Sequence, residues 1–398
     1  MKEISLVSEP RVDTGSLLKT PPLSLYVHMP WCVRKCPYCD FNSHTAPDTI
    51  PADEYIDALI ADLESEVGSV WGRPVGSIYF GGGTPSLFSA AHIERFLSAA
   101  RALLSIRPDA EITLEANPGT IEHDSFSAYA KAGINRVSLG VQSFDDTLLK
   151  RIGRIHGKSE VDQAVASLHE SGITNYNLDL MYALPGQSAA QSMQDVELAL
   201  AANPTHISFY HLTIEPNTMF AARPPELPQD DDAWDMQQAG LEVLESAGYL
   251  QYEISAYAKQ DKQSRHNLNY WRYGDYIAIG AGAHGKVTLP ASSAVSRYIK
   301  HKSPKRYLEC LKQGDWRVFE QSIAADDRLF EFFVNQLRLK QGVHVADFSP
   351  RTGLPWSAVE SRVSEAIKKG FLELEGERLK PTRLGWKFVN DIQQIFLP

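Results

Sequence analysis

Six short apolar runs, rich in β-branched and aromatic residues and bounded by turn residues, punctuate the first half of the chain. They read as buried strands over 23–29, 77–82, 111–117, 136–142, 176–184 and 206–214. Between them, apolar positions recur with a helical period over 52–67, 90–105, 123–133, 158–172 and 188–202. Strict alternation of strand and helix requires parallel strands joined by right-handed crossovers. The expected fold class is α/β, a partial parallel β/α barrel of six repeats where a complete barrel has eight.

Beyond about residue 216 the pattern changes. The segment 222–234 is acidic and Pro-rich, a loop leading into a helix that ends near 245–249. The tract 265–285 is aromatic and then Gly-rich, and reads as having no helical period. From 326 onward, helices and an expected hairpin at 371–382 suggest a smaller α+β, winged-helix-like region. Its charges nearly balance, which favours a structural cap over a DNA-binding module. The expected divisions are an extension at 1–22, the barrel at 23–220, a barrel extension at 221–325 and the C-terminal region at 326–398.

Composition narrows the functional classes. The chain has 398 residues and is 43% hydrophobic, and its 39 Lys and Arg against 49 Asp and Glu leave a formal charge of −10. Nucleic acids and anionic membranes both select cationic surfaces, so no nucleic-acid partner is expected. The first residues lack the apolar core of a secretory signal, and no run reaches the roughly 18 apolar residues of a spanning helix, so a cytoplasmic location is expected. Four cysteines are too few for a disulfide framework, and three of them crowd into "PWCVRKCPYCDF".

Cys32, Cys36 and Cys39 have C-x3-C-x2-C spacing and begin just beyond the first strand, on the face where α/β barrels carry their active sites. An iron–sulfur cube held by three thiolates keeps one iron open to another ligand. A Cys3His zinc site completed by His44 meets the spacing equally well, and buried inert thiols are the third reading. The second strand ends in "GGGTPS", whose glycines let the backbone approach a ligand and offer N–H groups to a carboxylate. Glu115, Gln142 and Asp179 stand in or at the ends of apolar runs, and Arg154 follows Gln142 by twelve residues. A buried carboxylate needs a partner, and a structural hydrogen bond would suffice for any one of these.

"CVRKCPYC" resembles the cluster signature of the radical S-adenosylmethionine (SAM) superfamily, and "GGGTPS" resembles the motif that holds the methionine part of SAM. The resemblance to that superfamily's coproporphyrinogen dehydrogenase branch extends over most of the chain. It implies a [4Fe-4S] cluster on Cys32, Cys36 and Cys39, with SAM on the open iron and Tyr38 near the adenine. It further implies that Tyr26, Gly82, Gly83, Thr84 and Glu115 contact SAM, that Gln142 and Asp179 meet its ribose hydroxyls, and that Arg154 pairs with its carboxylate.

Oxygen-independent dehydrogenases of this branch carry a further cysteine two residues after the third, where this chain has Phe41. That departure points to the branch's heme chaperones instead. "HNLNYW" is similar to their H-N-x-x-Y-W motif, which implies His266 as an axial heme ligand with Tyr270 and Trp271 against the porphyrin. His284 and Cys310 are lesser candidates, more simply read as a turn histidine and a buried thiol. The expectation is a chaperone that binds heme and passes it to a respiratory, membrane-associated acceptor protein, with homodimerisation open. No catalytic residue is assigned. The rival is an enzyme that oxidises a tetrapyrrole side chain.

Overall fold

The computed structural model describes residues 17–120 and 124–398. Most of the expected extension 1–22, and the first residue of the helix read at 123–133, lie outside the described residues. Six parallel strands follow in chain order: β1 (Leu23–Met29), β2 (Pro74–Gly82), β3 (Ser105–Ala116), β4 (Arg136–Gln142), β5 (Tyr176–Tyr182) and β6 (His206–His211). Helices α1 (Ala52–Glu66), α2 (Ala90–Leu103), α3 (Phe126–Ala132), α4 (Asp146–Arg151), α5 (Lys158–Ser171) and α6 (Ala189–Ala201) connect them. The helix read to 105 stops at Leu103, because the chain enters β3 at Ser105 and Pro108 cannot continue a helix. The strand read to 214 stops at His211.

The sheet does not end at six strands. After α7 (Asp230–Ser246) come β7 (Leu250–Glu253) and β8 (Ala256–Ala258), of which β8 adds antiparallel to β6 and β7 adds antiparallel to β8 at the edge. Beyond α8 (Arg265–Trp271), β9 (Asp275–Ile279) joins β1 in parallel, and β10 (His284–Leu289), β11 (Ala294–Lys300) and β12 (Arg317–Ser322) extend that edge antiparallel. The result is one twelve-stranded sheet with the six expected strands at its centre. The C-terminal residues build a separate small core around Phe332, Phe333 and Phe348. There the hairpin of β14 (Leu372–Glu375) and β15 (Arg378–Pro381) pairs with β13 (Val343–His344). No helix among the described residues is long and apolar enough to cross a membrane.

Side chains along the six strands alternate in character, as the period of two requires. Leu25, Val27, Ile78, Phe80, Leu114 and Val137 share the core with residues of α1 and α2. The intervening positions are polar and bond to one another inside the barrel: Ser24 to Ser77 at 2.8 Å, Tyr79 to Glu115 at 2.8 Å, Ser138 to Asp179 at 3.3 Å, and His206 to Asn177 at 2.6 Å. This polar lumen is missing from a description of the strands as simply apolar.

Burial keeps the lumen imidazoles neutral, pushing His28 down to about 4, His266 to about 3 and His206 well below its ordinary value. The unfolded value is about 6.5, so each of these groups stabilises the fold fully above that pH and loses its contribution as pH falls toward its folded value. Each adds a slope of up to about 1.4 kcal/mol per pH unit in that window. Urea midpoints are therefore expected to fall between about pH 6.5 and about pH 4.5. A flat profile there would show that the imidazoles remain hydrated in the folded chain.

Candidate functional site

The loop after β1 carries the three cysteines across the C-terminal mouth of the barrel, each partly exposed and none in a disulfide. Its path is set by the glycine turn after β2. Gly83 N donates to Met29 O at 2.7 Å and Thr84 N to Trp31 O at 2.8 Å, so the turn is stitched directly to the cysteine loop. A Cβ on Gly83 would stand 2.6 Å from the Trp31 carbonyl, and one on Gly82, at φ +110°, would stand 2.5 Å from His28 Nδ1. Only glycine fits such contacts and such a φ. Gly82 N also has a partner, donating to the Glu115 carboxylate at Oε2, 3.1 Å away.

Cys32, Cys36 and Cys39 line one pocket together with Tyr38, Gly82, Gly83, Thr84, Glu115, Gln142, Arg154 and Asp179. The structure thus gathers eleven of the twelve residues proposed from sequence to hold the cluster or SAM and leaves only Tyr26 outside this lining. Tyr26 stands deeper in the barrel, its hydroxyl 3.0 Å from His28 Nδ1 and its ring stacked on Tyr79. Asn117, Ser138 and Tyr210 line the pocket as well and were missed. Ser138 and Tyr210 occupy inward positions of β4 and β6, which the two-residue alternation could have revealed.

The polar groups of the pocket are only partly satisfied. Burial raises the Glu115 carboxyl to about 7, with Asp179 nearby adding to the rise, and its partners are neutral donors, Tyr79 OH and Gly82 N. Burial also raises Asp179, whose carboxylate accepts from Asn177 at 2.7 Å and from Ser138. Two buried carboxylates bonded to neutral donors favour a cationic ligand. Arg154 presents the opposite charge. Its Nη2 donates to Gly140 O at 2.6 Å and to Asn117 Oδ1, its Nη1 lies 3.7 Å from Cys36 Sγ, and its buried Nε has no hydrogen-bond partner among the described residues. Gln142 adopts a left-handed φ of +69°, with its side chain accepting from Tyr210 OH at 2.8 Å. Tyr38 packs near Phe220 at one end of the pocket.

This donor set suits a cluster better than a single zinc ion. His44 Nε2 lies 3.3 Å from the Lys302 carbonyl, and among the described residues no three His, Cys, Asp or Glu side chains converge as one ion would need. A cube spreads its thiolates over separate corners, which three loop cysteines around an open pocket can meet. Carboxylates hydrogen-bonded only to neutral donors and a guanidinium with an unpartnered donor match a ligand carrying a sulfonium, an ammonium and a carboxylate.

His266 lies elsewhere. The tract from 265, read as having no helical period, begins with α8, capped by Ser264 and anchored where Glu111 Oε1 accepts from Arg265 N at 2.9 Å and from His266 N at 3.2 Å. The His266 ring is 1% exposed, stacked on Tyr79, with Nδ1 3.0 Å from Ser77 Oγ and Nε2 3.2 Å from Tyr270 OH. The reading of this tract as lacking a helical period is corrected for its first residues, and His266 lies buried within a helix. His284 is exposed at the start of β10, and Cys310 is buried, its thiol donating to Asp315 O at 2.9 Å.

Comparison with known proteins places this site in a lineage. Residues 26–199 match the radical SAM superfamily and residues 323–388 the HemN C-terminal domain. The heme chaperone HemW of Escherichia coli is 47% identical over 381 residues, 96% of this chain and 100% of that protein. The Haemophilus influenzae HemW is 47% identical over 383 residues, 95% of this chain and 99% of that one, and the Lactococcus lactis HemW is 34% identical over 94% and 97%. The solved structure of coproporphyrinogen III oxidase (HemN) from Escherichia coli, described as a radical SAM enzyme, superposes with a TM-score of 0.79 at 23% identity over 95% of this chain and 90% of that one. That last likeness shows the fold.

Proposed function

The chain belongs to the heme chaperone HemW family, and from that membership we propose that it binds heme and hands it to an acceptor protein. The observation that carries this reading is the near end-to-end identity to proteins named for that role. Cys32, Cys36 and Cys39 would hold a [4Fe-4S] cluster, which supplies an iron with an exchangeable position. Around it, Arg154 would receive the carboxylate of SAM, and Glu115 would accept from its ammonium. Asp179 and Gln142 would meet the ribose, Tyr38 would bound the adenine, and Tyr26 would support the floor beside Tyr79. The protein would act in the cytoplasm, as a monomer or homodimer. It would reach a membrane-associated acceptor by protein contact, since a formal charge of −10 disfavours anionic lipid.

Heme would seat against α8. His266 can reach the iron only after leaving Ser77 and Tyr270, so ligation requires α8 to open. The test is heme titration of the anaerobically reconstituted protein beside His266→Ala. The native chain is expected to give the spectrum of imidazole-bound heme and the variant to lose it. An unchanged variant spectrum removes His266 from the role, and no saturable heme binding removes the chaperone reading. Anaerobic incubation with coproporphyrinogen III is expected to give no product, in keeping with exposed Phe41 at the pocket.

A further inference from the structure

At the end of the barrel opposite the cysteines lies a larger cavity of about 770 Å³, within the range of small-molecule sites. It opens between the first residues of β1 and β2, the outer face of α8 and the C-terminal unit. Five arginines and two aspartates line it, an excess of positive charge in a chain of net charge −10. Arg107 and Arg265 are already paired with Asp109, at 2.9 and 3.3 Å. Of the other three, Arg351 lies 3.8 Å from Asp347 and within the influence of Asp275, while the guanidinium groups of Arg272 and Arg378 have no ion pair or hydrogen bond among the described residues.

Arg351 Nη1 donates to the Arg272 carbonyl at 2.9 Å, which ties the C-terminal unit to the end of α8 and holds the cations together. Burial lowers the affinity of Arg272 for its proton, and the Arg378 charge lowers it further. Burial acts likewise on Arg351. Like charges that outnumber their counter-ions are unfavourable until an anion arrives, and guanidinium groups match carboxylates in geometry. Leu23, Leu268 and Leu339 supply an apolar wall beside them.

We propose that Arg272, Arg351 and Arg378 clamp the propionate edge of heme, with its apolar face against Leu268 and Leu339. The clamp rests on the heme-binding reading above and specifies where and how the ligand's charge is held. It places heme on the outer side of the helix whose inner side carries His266, and it joins residues of the barrel extension and the C-terminal unit in one site.

The test compares heme with heme dimethyl ester, whose propionates carry no charge, on the native chain and on the double variant Arg272→Gln/Arg378→Gln. Both residues reach solvent and their guanidinium groups make no hydrogen bond or ion pair among the described residues, so the variant is expected to keep the native unfolding midpoint. Native protein is expected to bind heme at least about tenfold more tightly than the ester, and the variant to bind the two alike, with the whole loss falling on heme. Arg95→Gln on α2, far from the cavity, is expected to leave heme affinity unchanged. Equal binding of heme and ester by the native chain, or an equal loss in Arg95→Gln, overturns the clamp while leaving heme binding intact. Failure of the native chain to bind either ligand overturns the heme reading and the clamp with it.

Discussion

Serine at Cys36 is expected to leave a folded chain that no longer holds iron. The hydroxyl stays protonated near neutral pH and replaces a thiolate poorly, and with three ligands the cluster has no substitute to recruit. After anaerobic reconstitution, iron and sulfide in Cys36→Ser should fall below about a tenth of the native content, with the brown colour lost. The unfolding midpoint of the metal-free chain should barely move. Cys36 is partly exposed on a loop, and surface changes of this kind stay within about 0.5 kcal/mol. Cys310→Ser serves as control, since that thiol bonds to the Arg306 and Asp315 carbonyls and should leave iron content untouched. Native-like iron in Cys36→Ser would refute the three-thiolate site, and one zinc with no iron in native protein would refute the cluster itself.

The second large effect concerns stability. Lys300, on β11, is fully buried and donates to Asp62 at 2.5 Å and to Glu66 at 2.6 Å, both on α1 and both fully buried. Arg317 reaches the other Glu66 oxygen at 2.6 Å, and Tyr307 donates to Asp62 at 2.7 Å. Burial pushes the Asp62 carboxyl up, and Lys300 is the main influence opposing that rise. Lys300→Met keeps the stem but leaves Asp62 without its cation, while Glu66 keeps Arg317, a change expected to cost about 3–5 kcal/mol at neutral pH by urea unfolding. The sign of the pH dependence follows. In the variant the folded Asp62 pKa rises further above its unfolded value, so its contribution is full at low pH and lost as pH rises. The deficit should therefore shrink on acidification, and Asp62→Asn in the same chain should recover part of it. A loss below about 1 kcal/mol would show that the network is solvated.

The network's members illustrate how far a sequence can be read. Nothing around Lys300 distinguishes it from a surface lysine, because its partners come from α1, more than two hundred residues earlier. The same holds for the arginine cavity, where positions 272, 351 and 378 meet only after the C-terminal unit packs against the barrel. Helix α8 was illegible for a different reason. At seven residues it is too short to be stable alone, and it is supported by the Ser264 cap and by Glu111 from the distant β3.

What the sequence determined by itself was local in origin. The six barrel strands and most of their helices were legible because periods of two and 3.6 are written over a few consecutive residues. The cysteine triad was legible because its ligands fall within eight residues of one loop. Tertiary structure alone decided the polar lumen, the enclosure of His266, the engagement of the glycine-turn N–H groups and the gathering of arginines that outnumber their carboxylates. Each depends on which distant groups pack against a side chain and remove its water, and that desolvation is a property of the folded contacts and of no short stretch of chain.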